Sequence, residues 1–264
     1  MLLLVLSIFV SIAIFSALLA ALVGGAVWLQ RQQNAKRRAE MQQLAQELDL
    51  SFFEKDTFGL TRQLQMFDLF QRERSRWARN GKVTNIMRGR VGEAEVFMFD
   101  YAYTVHTGKS SHTVTQTVFF ANDKNWYLPD FRLKPETWWQ KVLSKIGLRQ
   151  DINFEDNPDF SSRFWLTGEI EELIRKKFGP DLQGFLTERP PVHIEGSNYY
   201  LIAYKPGKAL NSDEAQVFFE HCCQLTKLLQ ENENSELLDL AELKKEGMQK
   251  PLKAPKLPEK KRRQ

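Results

Sequence analysis

His106 and His112 flank the turn-forming run Thr107-Gly108-Lys109-Ser110-Ser111, so a hairpin folded there would bring two imidazoles face to face. Two imidazoles can begin a metal site, but zinc takes at least three protein ligands, and no third Cys or carboxylate is placed beside them. Asp100 and Tyr101 lie on the same stretch, which makes the 94–120 hairpin the place where an enzyme with an unfamiliar active site would keep it. Two other clusters are weaker. Cys222 and Cys223 are the only cysteines; adjacent cysteines miss ordinary disulfide geometry, and with no CxxC they read as two small apolar residues on a helix. Asp151, Glu155, Asp156 and Asp159 lack the spacing, central glycine and closing glutamate of an EF-hand. The sequence holds no GxGxxG, P-loop, GxSxG, HExxH or kinase signature, so no catalytic residue can be named, and neither a cofactor nor a metal is expected.

Positive charge is the remaining chemistry. The net charge is +4, but its distribution is uneven: residues 30–40 hold four basic and one acidic side chain, 41–243 hold 24 and 30, and 244–264 hold nine and two. A mildly acidic middle disfavours a nucleic-acid-binding core. Arg31, Lys36, Arg37 and Arg38 follow the apolar N-terminus. Arg72, Arg74, Arg76 and Arg79, continued by Lys82, Arg88 and Arg90, oppose the single acid Glu73. Lys260, Lys261, Arg262 and Arg263 end a Pro/Lys-rich tail that cannot bury enough apolar surface to fold. Anionic headgroups attract such segments at about 1 kcal/mol per basic residue near the surface. These three groups are the candidate membrane-surface residues, with solvated loop and tail as the alternative.

The element that would carry them to a membrane is the N-terminus, where Met1 to Gln30 hold no charged side chain. At about 1.5 Å per residue the run exceeds a hydrocarbon core of about 30 Å, and Trp28 stands at its end like an interfacial anchor. A cleaved signal is the alternative, with Val23-Gly24-Gly25-Ala26 imitating its exit site. The run is long for that, and no basic residue precedes it. Because Lys and Arg resist translocation, Arg31 to Arg38 are expected to hold the following chain in the cytoplasm, with the N-terminus outside. The lack of a disulfide framework agrees with a reducing compartment.

Residues 31–48 read as a juxtamembrane helical linker, with Met41, Leu44, Ala45 and Leu48 at helical spacing. Residues 49–231 read as an α+β domain. Four segments rich in β-branched and aromatic residues, Val83–Val91, Ala94–His106, His112–Phe120 and Trp126–Leu133, predict an antiparallel meander. Phe97, Phe99, Tyr101, Tyr103 and Val105 share one face of the second strand by the period of two and read as core. Pro129 predicts that the fourth strand is an edge. A helix is expected from Glu136 through Trp138, Trp139, Val142, Leu143 and Ile146, a strand from Phe160 to Leu166, and a helix capped by Thr167. Pro180 opens the next helix, and Gly196-Ser197-Asn198 turns a second hairpin. Asn211 with Glu214 spells a capping box, opening a helix whose stripe Phe218, Cys222, Leu225 and Leu229 needs a sheet to cover it. Residues 232–264 read as a weak leucine helix followed by the basic tail.

In this order of elements the chain resembles a family of bacterial single-pass membrane proteins of uncharacterised function. The matching stretches are Arg79-Asn80, Met87-Arg88-Gly89-Arg90-Val91, Phe97-Met98-Phe99-Asp100-Tyr101, Phe131-Arg132-Leu133-Lys134-Pro135-Glu136, Asn157-Pro158-Asp159-Phe160 and Phe164-Trp165-Leu166-Thr167-Gly168, within about residues 44–229. The resemblance implies a bacterial inner membrane and brings no activity or site residue. A core without recognisable chemistry leads to the expectation of a membrane-tethered cytoplasmic interaction module. Its partners would be a protein and, through the basic tail, anionic lipid, with no specific nucleic acid.

Overall fold

The computed structural model describes residues 2–71, 78–107, 110–136 and 151–248. Residues 137–146 of the helix expected from Glu136, the residues Arg72, Arg74 and Arg76, and the tail from residue 249 lie outside the described residues.

The chain opens with α1 (Leu2–Glu47), 46 residues without a break. The apolar run and the expected linker are thus one helix. The domain then runs β1 (Ser51–Lys55), α2 (Leu60–Gln63), a 3₁₀ turn at Leu64–Met66, α3 (Asp68–Gln71), β2 (Ala78–Val91), β3 (Ala94–Thr107), β4 (Ser110–Asn122) and β5 (Leu128–Pro135). It continues through α4 (Pro158–Arg163), β6 (Phe164–Gly168), α5 (Glu171–Lys177), α6 (Pro180–Thr187), β7 (His193–Asn198), β8 (Tyr200–Tyr204) and α7 (Ser212–Met248). The architecture is α+β. Eight antiparallel strands form one sheet in the order β1-β2-β3-β4-β8-β7-β5-β6.

The expected meander is present as β2–β3–β4, but β5 leaves it to pair with β6 and β7, with the β7–β8 hairpin inserted beside β4. Pro129 therefore sits in an interior strand. It is tolerated because the β5–β7 register is irregular between Leu128 and Phe131 and the β5–β6 ladder begins only at Phe131, so no ladder bond is asked of residue 129. Residues 158–163 are a helical turn, capped by Asn157 Oδ1 accepting from Phe160 N at 3.0 Å, and the strand begins only at Phe164. Thr167 lies inside that strand, and Ile170 precedes α5 without a side-chain cap. The second hairpin turns at Asn198-Tyr199, with Asn198 at φ 56, two residues later than the Gly196 signal. The capping box forms as expected: Glu214 N donates to Asn211 Oδ1 at 2.9 Å, and Asn211 N donates to Glu214 Oε2 at 3.3 Å.

Both faces of the sheet are buried. On the first, Met41, Leu44 and Ala45 of α1 and Phe218, Cys222, Leu225 and Leu229 of α7 pack on Met98, Phe119 and Ala203, while α4–α6 cover β5–β7 with Phe160, Ile174, Phe178 and Leu182. On the second, Leu60, Leu64, Phe67 and Phe70 form a lid over Phe97, Phe99, Tyr101 and Phe120, the face that period-two alternation marks as core. Each such side chain contributes about 1.5–3 kcal/mol on burial.

Candidate functional site

The junction between α1 and the sheet is a polar node inside an otherwise apolar contact. Arg37 donates from Nε to Asp100 Oδ2 and from Nη2 to Asp100 Oδ1, both at 2.9 Å. Its Nη1 donates to the Leu210 carbonyl at 2.5 Å, and Nη2 also reaches Thr117 Oγ1 at 3.3 Å. Asp100 further accepts from Asn85 Nδ2 at 3.0 Å and Thr117 Oγ1 at 3.2 Å. Asn85 reaches it from a bulge in β2, where its φ of 52 is one that Asn tolerates better than most residues. Asp100 is only 3% exposed, so its charge is supported entirely by these donors.

Of the expected membrane-surface residues, Arg37 directs its guanidinium to Asp100 of the domain. Arg31 and Lys36 are exposed, Lys36 lying 3.9 Å from Glu40. Arg38 pairs with Glu54 at 2.9 Å, both half-exposed. Arg79 stands opposite Thr104 near the start of β2. Arg72, Arg74, Arg76, Lys260, Lys261, Arg262 and Arg263 lie outside the described residues.

The histidine pair does not form. His112 stands opposite Val105 and His106 opposite Ser111, so the ladder is offset by one residue and the two imidazoles point to opposite faces of the sheet. Asp100 and Tyr101, adjacent in sequence, also face opposite ways, the first into the node and the second into the lid core. Burial pushes the Cys223 thiol up to about 12 and raises that of Cys222 as well, consistent with apolar packing rather than reactivity.

Two clefts were not foreseen. The first, of about 360 Å³, opens on the second face where the lid stops, between Met66 and Phe67 and strands β5–β7. Its floor holds Glu195, 2% exposed, accepting from the Tyr204 hydroxyl and from Asp68 N, each at 2.8 Å. Burial raises the Glu195 carboxyl above its ordinary range, against the pull of those two donors, and the nearby Asp68 charge adds to the rise. Arg132 is its cross-strand neighbour and pairs with Asp68 at 2.9 Å; Thr167 and Ser197 complete the polar wall. A buried carboxyl whose pKa is raised, with a guanidinium beside it, is suited to proton exchange.

The second cleft, of about 310 Å³, lies between α6 with the residues after it and the first turns of α7. Phe185, Leu186, Val192, Val217 and Phe218 line it, with Arg189 and Lys205 among its polar residues. The Arg189 guanidinium lies 3.7 Å over the Phe185 ring and donates to Gln224 Oε1 at 2.9 Å. His221, on the same wall, has its pKa lowered by burial and then by the Arg189 charge. The sequence signal that could have found Asp100 and Glu195 is an acid on the buried phase of an apolar strand. Arg37 and Asp68, which bond them from 63 and 127 residues away, leave no local trace.

No family model and no curated protein matches the chain. Among solved structures, the crystal structure of the mycobacterial trehalose monomycolate transport factor A, TtfA, aligns with 73% of this chain and 95% of its own, at 11% identity and a TM-score of 0.47.

Proposed function

We propose that the chain is a membrane-tethered binding module: a span within residues 1–30, the helix of 31–48 joining it to an α+β domain of residues 49–231 on the cytoplasmic face of a bacterial inner membrane, and a C-terminal helix and basic tail over 232–264. The observation that carries this reading is α1. Its residues Ile14 to Leu29 expose large apolar side chains, Phe15 at 70% and Leu22 at 72%, and the same unbroken helix then becomes core at Met41, Leu44 and Ala45. By length and composition the helix can cross a membrane, and the cost of leaving its apolar end in water supports a bilayer around it. Arg31 to Arg38 support the cytoplasmic side for the domain. A binding role is supported by the apolar cleft beside α7, whose volume is at the low end of ligand-binding clefts.

The test combines topology with contact. A fluorescent reporter at the C-terminus should be bright, a phosphatase reporter at the same place inactive, and the protein should stay with membranes through carbonate washing. A photo-crosslinker at Val217, half-exposed in the cleft, should trap one defined partner in native membranes, and Val217→Arg should abolish the adduct of a crosslinker at Phe185. An active periplasmic phosphatase reverses the orientation.

A second reading, an enzyme, is favoured by Glu195: a buried carboxyl with a raised pKa in a polar cleft beside Arg132. On that reading Glu195→Gln removes an activity in a hydrolase screen while leaving the Val217 adduct intact.

A further inference from the structure

The cleft beside α7 is elongated along that helix. From α7 it is lined by Asp213, Val217, Phe218, His221, Cys222 and Leu225, a spacing that keeps to one helix face and covers about 18 Å of its length. Phe185, Leu186 and Val192 line it from the other side, and Phe164 and Ile194 from the sheet. A volume of about 310 Å³ drawn out over that length is a narrow groove. An extended peptide laid in it would bring backbone N–H and C=O groups against helices whose own backbone is bonded internally. An alkyl chain brings none, and it gains from every methylene it buries.

Three basic side chains, Arg189, Lys205 and His221, line the same groove. Arg189 lies on the Phe185 ring, with Nη1 donating to the Phe185 carbonyl and Nη2 to Gln224, while its buried Nε has no hydrogen-bond partner. A buried N–H without an acceptor is costly, and an anion that accepts from it removes the cost. Among the described residues, the side chains of Lys205 and His221 make no hydrogen bond or ion pair either. The Arg189 and Lys205 charges both act on His221, and that of Lys205 also reaches Cys222, so the basic groups gather at one stretch of the groove. Of the lining acids, Glu214 is occupied by Lys208 and by the Asn211 N–H, and Asp213 is exposed.

We propose that this groove binds a single-chain amphiphile with a carboxylate head, the carboxylate accepting from Arg189 Nε and Lys205 Nζ beside His221 and the alkyl chain lying against Phe185, Val217, Phe218 and Leu225. The assignment rests on the binding-module reading above and names the occupant of its cleft. His221 then reports occupancy. Burial, then the Arg189 charge and more weakly that of Lys205, lower its pKa against the pull of Glu220. A carboxylate beside the ring favours its protonated form and raises that pKa, so affinity rises as pH falls from neutral through the free site's value while the ligand stays ionised.

The test uses the full chain in phosphatidylcholine nanodiscs and equilibrium dialysis of radiolabelled decanoate, with decanol as the uncharged chain and empty nanodiscs to subtract uptake by the lipid. Decanoate should bind at one site per chain, about tenfold more tightly than decanol, and about fourfold more tightly for each methylene added from octanoate. Lys205→Met should weaken decanoate several-fold and leave decanol unchanged, and Lys205→Arg should keep the preference. Val217→Trp, at a half-exposed rim position, should fill the groove and abolish both. His221→Gln should leave decanoate bound but remove the rise in affinity at lower pH. Equal affinity for decanoate and decanol overturns the carboxylate head, and binding untouched by Val217→Trp overturns the groove. A protein adduct at Val217 with no decanoate binding overturns the amphiphile and leaves the binding module standing. Decanoate binding with no protein adduct at Val217 keeps the amphiphile and rejects the protein partner.

Discussion

The two faces of the sheet are covered in opposite ways. The first lies under long helices, α1 and α7, whose apolar stripes pack on the strands around the Arg37–Asp100 node, which is fully paired. The second lies under single turns, α2, the 3₁₀ turn and α3, which cover β2–β4 and β8 and then stop, leaving β5–β7 as the floor of a polar cleft. Long helices bring a continuous apolar stripe and tolerate a charge only when every lone pair is met. Short turns are held by side chains instead. Asp56 accepts from the backbone N–H groups of Phe58, Leu60 and Thr61 at the start of the lid, and Glu195 accepts from Asp68 N at its end. The lid therefore hangs between two carboxylates, and the difference makes the second face the one that responds to solution conditions.

The largest expected effect is on the first face. Arg37→Met leaves Asp100 buried without its ion partner and should cost about 3–5 kcal/mol, lowering Tm by about 10 °C; Arg37→Met with Asp100→Leu should recover most of it. If the single variant melts like the parent, the node is not what joins helix to sheet. Leu64→Ala, fully buried under the lid, should cost about 2–4 kcal/mol. Its signature should be local: faster hydrogen exchange in residues 60–71 with amides of β3 and β4 still protected. Uniform loss of protection would mean the two faces unfold as one.

Smaller still is the pH effect. Because burial raises the Glu195 pKa, the folded state holds that proton more tightly than the unfolded chain does. Stability should therefore fall as pH rises from the ordinary carboxylate range through the folded value, and the penalty is complete above it. Glu195→Gln should flatten this window in urea midpoints taken across pH. Asp56 has the opposite sign: burial pushes it up, but its hydrogen bonds with Thr61, Leu60 and Phe58 bring it below its ordinary value. Its contribution is present above the unfolded pKa and is lost as pH falls through the folded one. The smallest effect belongs to Arg38→Ala, which breaks an exposed pair with Glu54 and should change stability by less than about 1 kcal/mol.

What the sequence made legible was local. Strands β2 to β5, the Asn211–Glu214 cap and the Pro180 helix start follow from alternation and turn chemistry within a few residues. Strand order did not follow, because the placement of β5 between β6 and β7 depends on pairings with residues 164–168 and 194–198. Pro129 then pointed to an edge, since the register irregularity that accommodates it is made by the partner strand. His106 and His112 were placed symmetrically about the turn, yet a ladder offset by one residue separates them by the thickness of the sheet. Glu195 carried only the weak signal of an acid inside a strand, and what makes its burial workable, Asp68 and Tyr204, is set by the tertiary fold.

The Arg37 node also has a timetable. Its acceptors reach the growing chain in sequence, Asp100 and Thr117 first and the Leu210 carbonyl last, 173 residues after Arg37 itself. At about 5–20 residues per second the ribosome needs roughly 10–35 s to supply that final partner. Throughout that interval the apolar segment is available to the insertion machinery, while the guanidinium that will lock it to the domain has no complete site to enter. On the proposed tether, membrane delivery would be finished before docking begins, the late arrival of residue 210 keeping the apolar segment from being folded away against the domain.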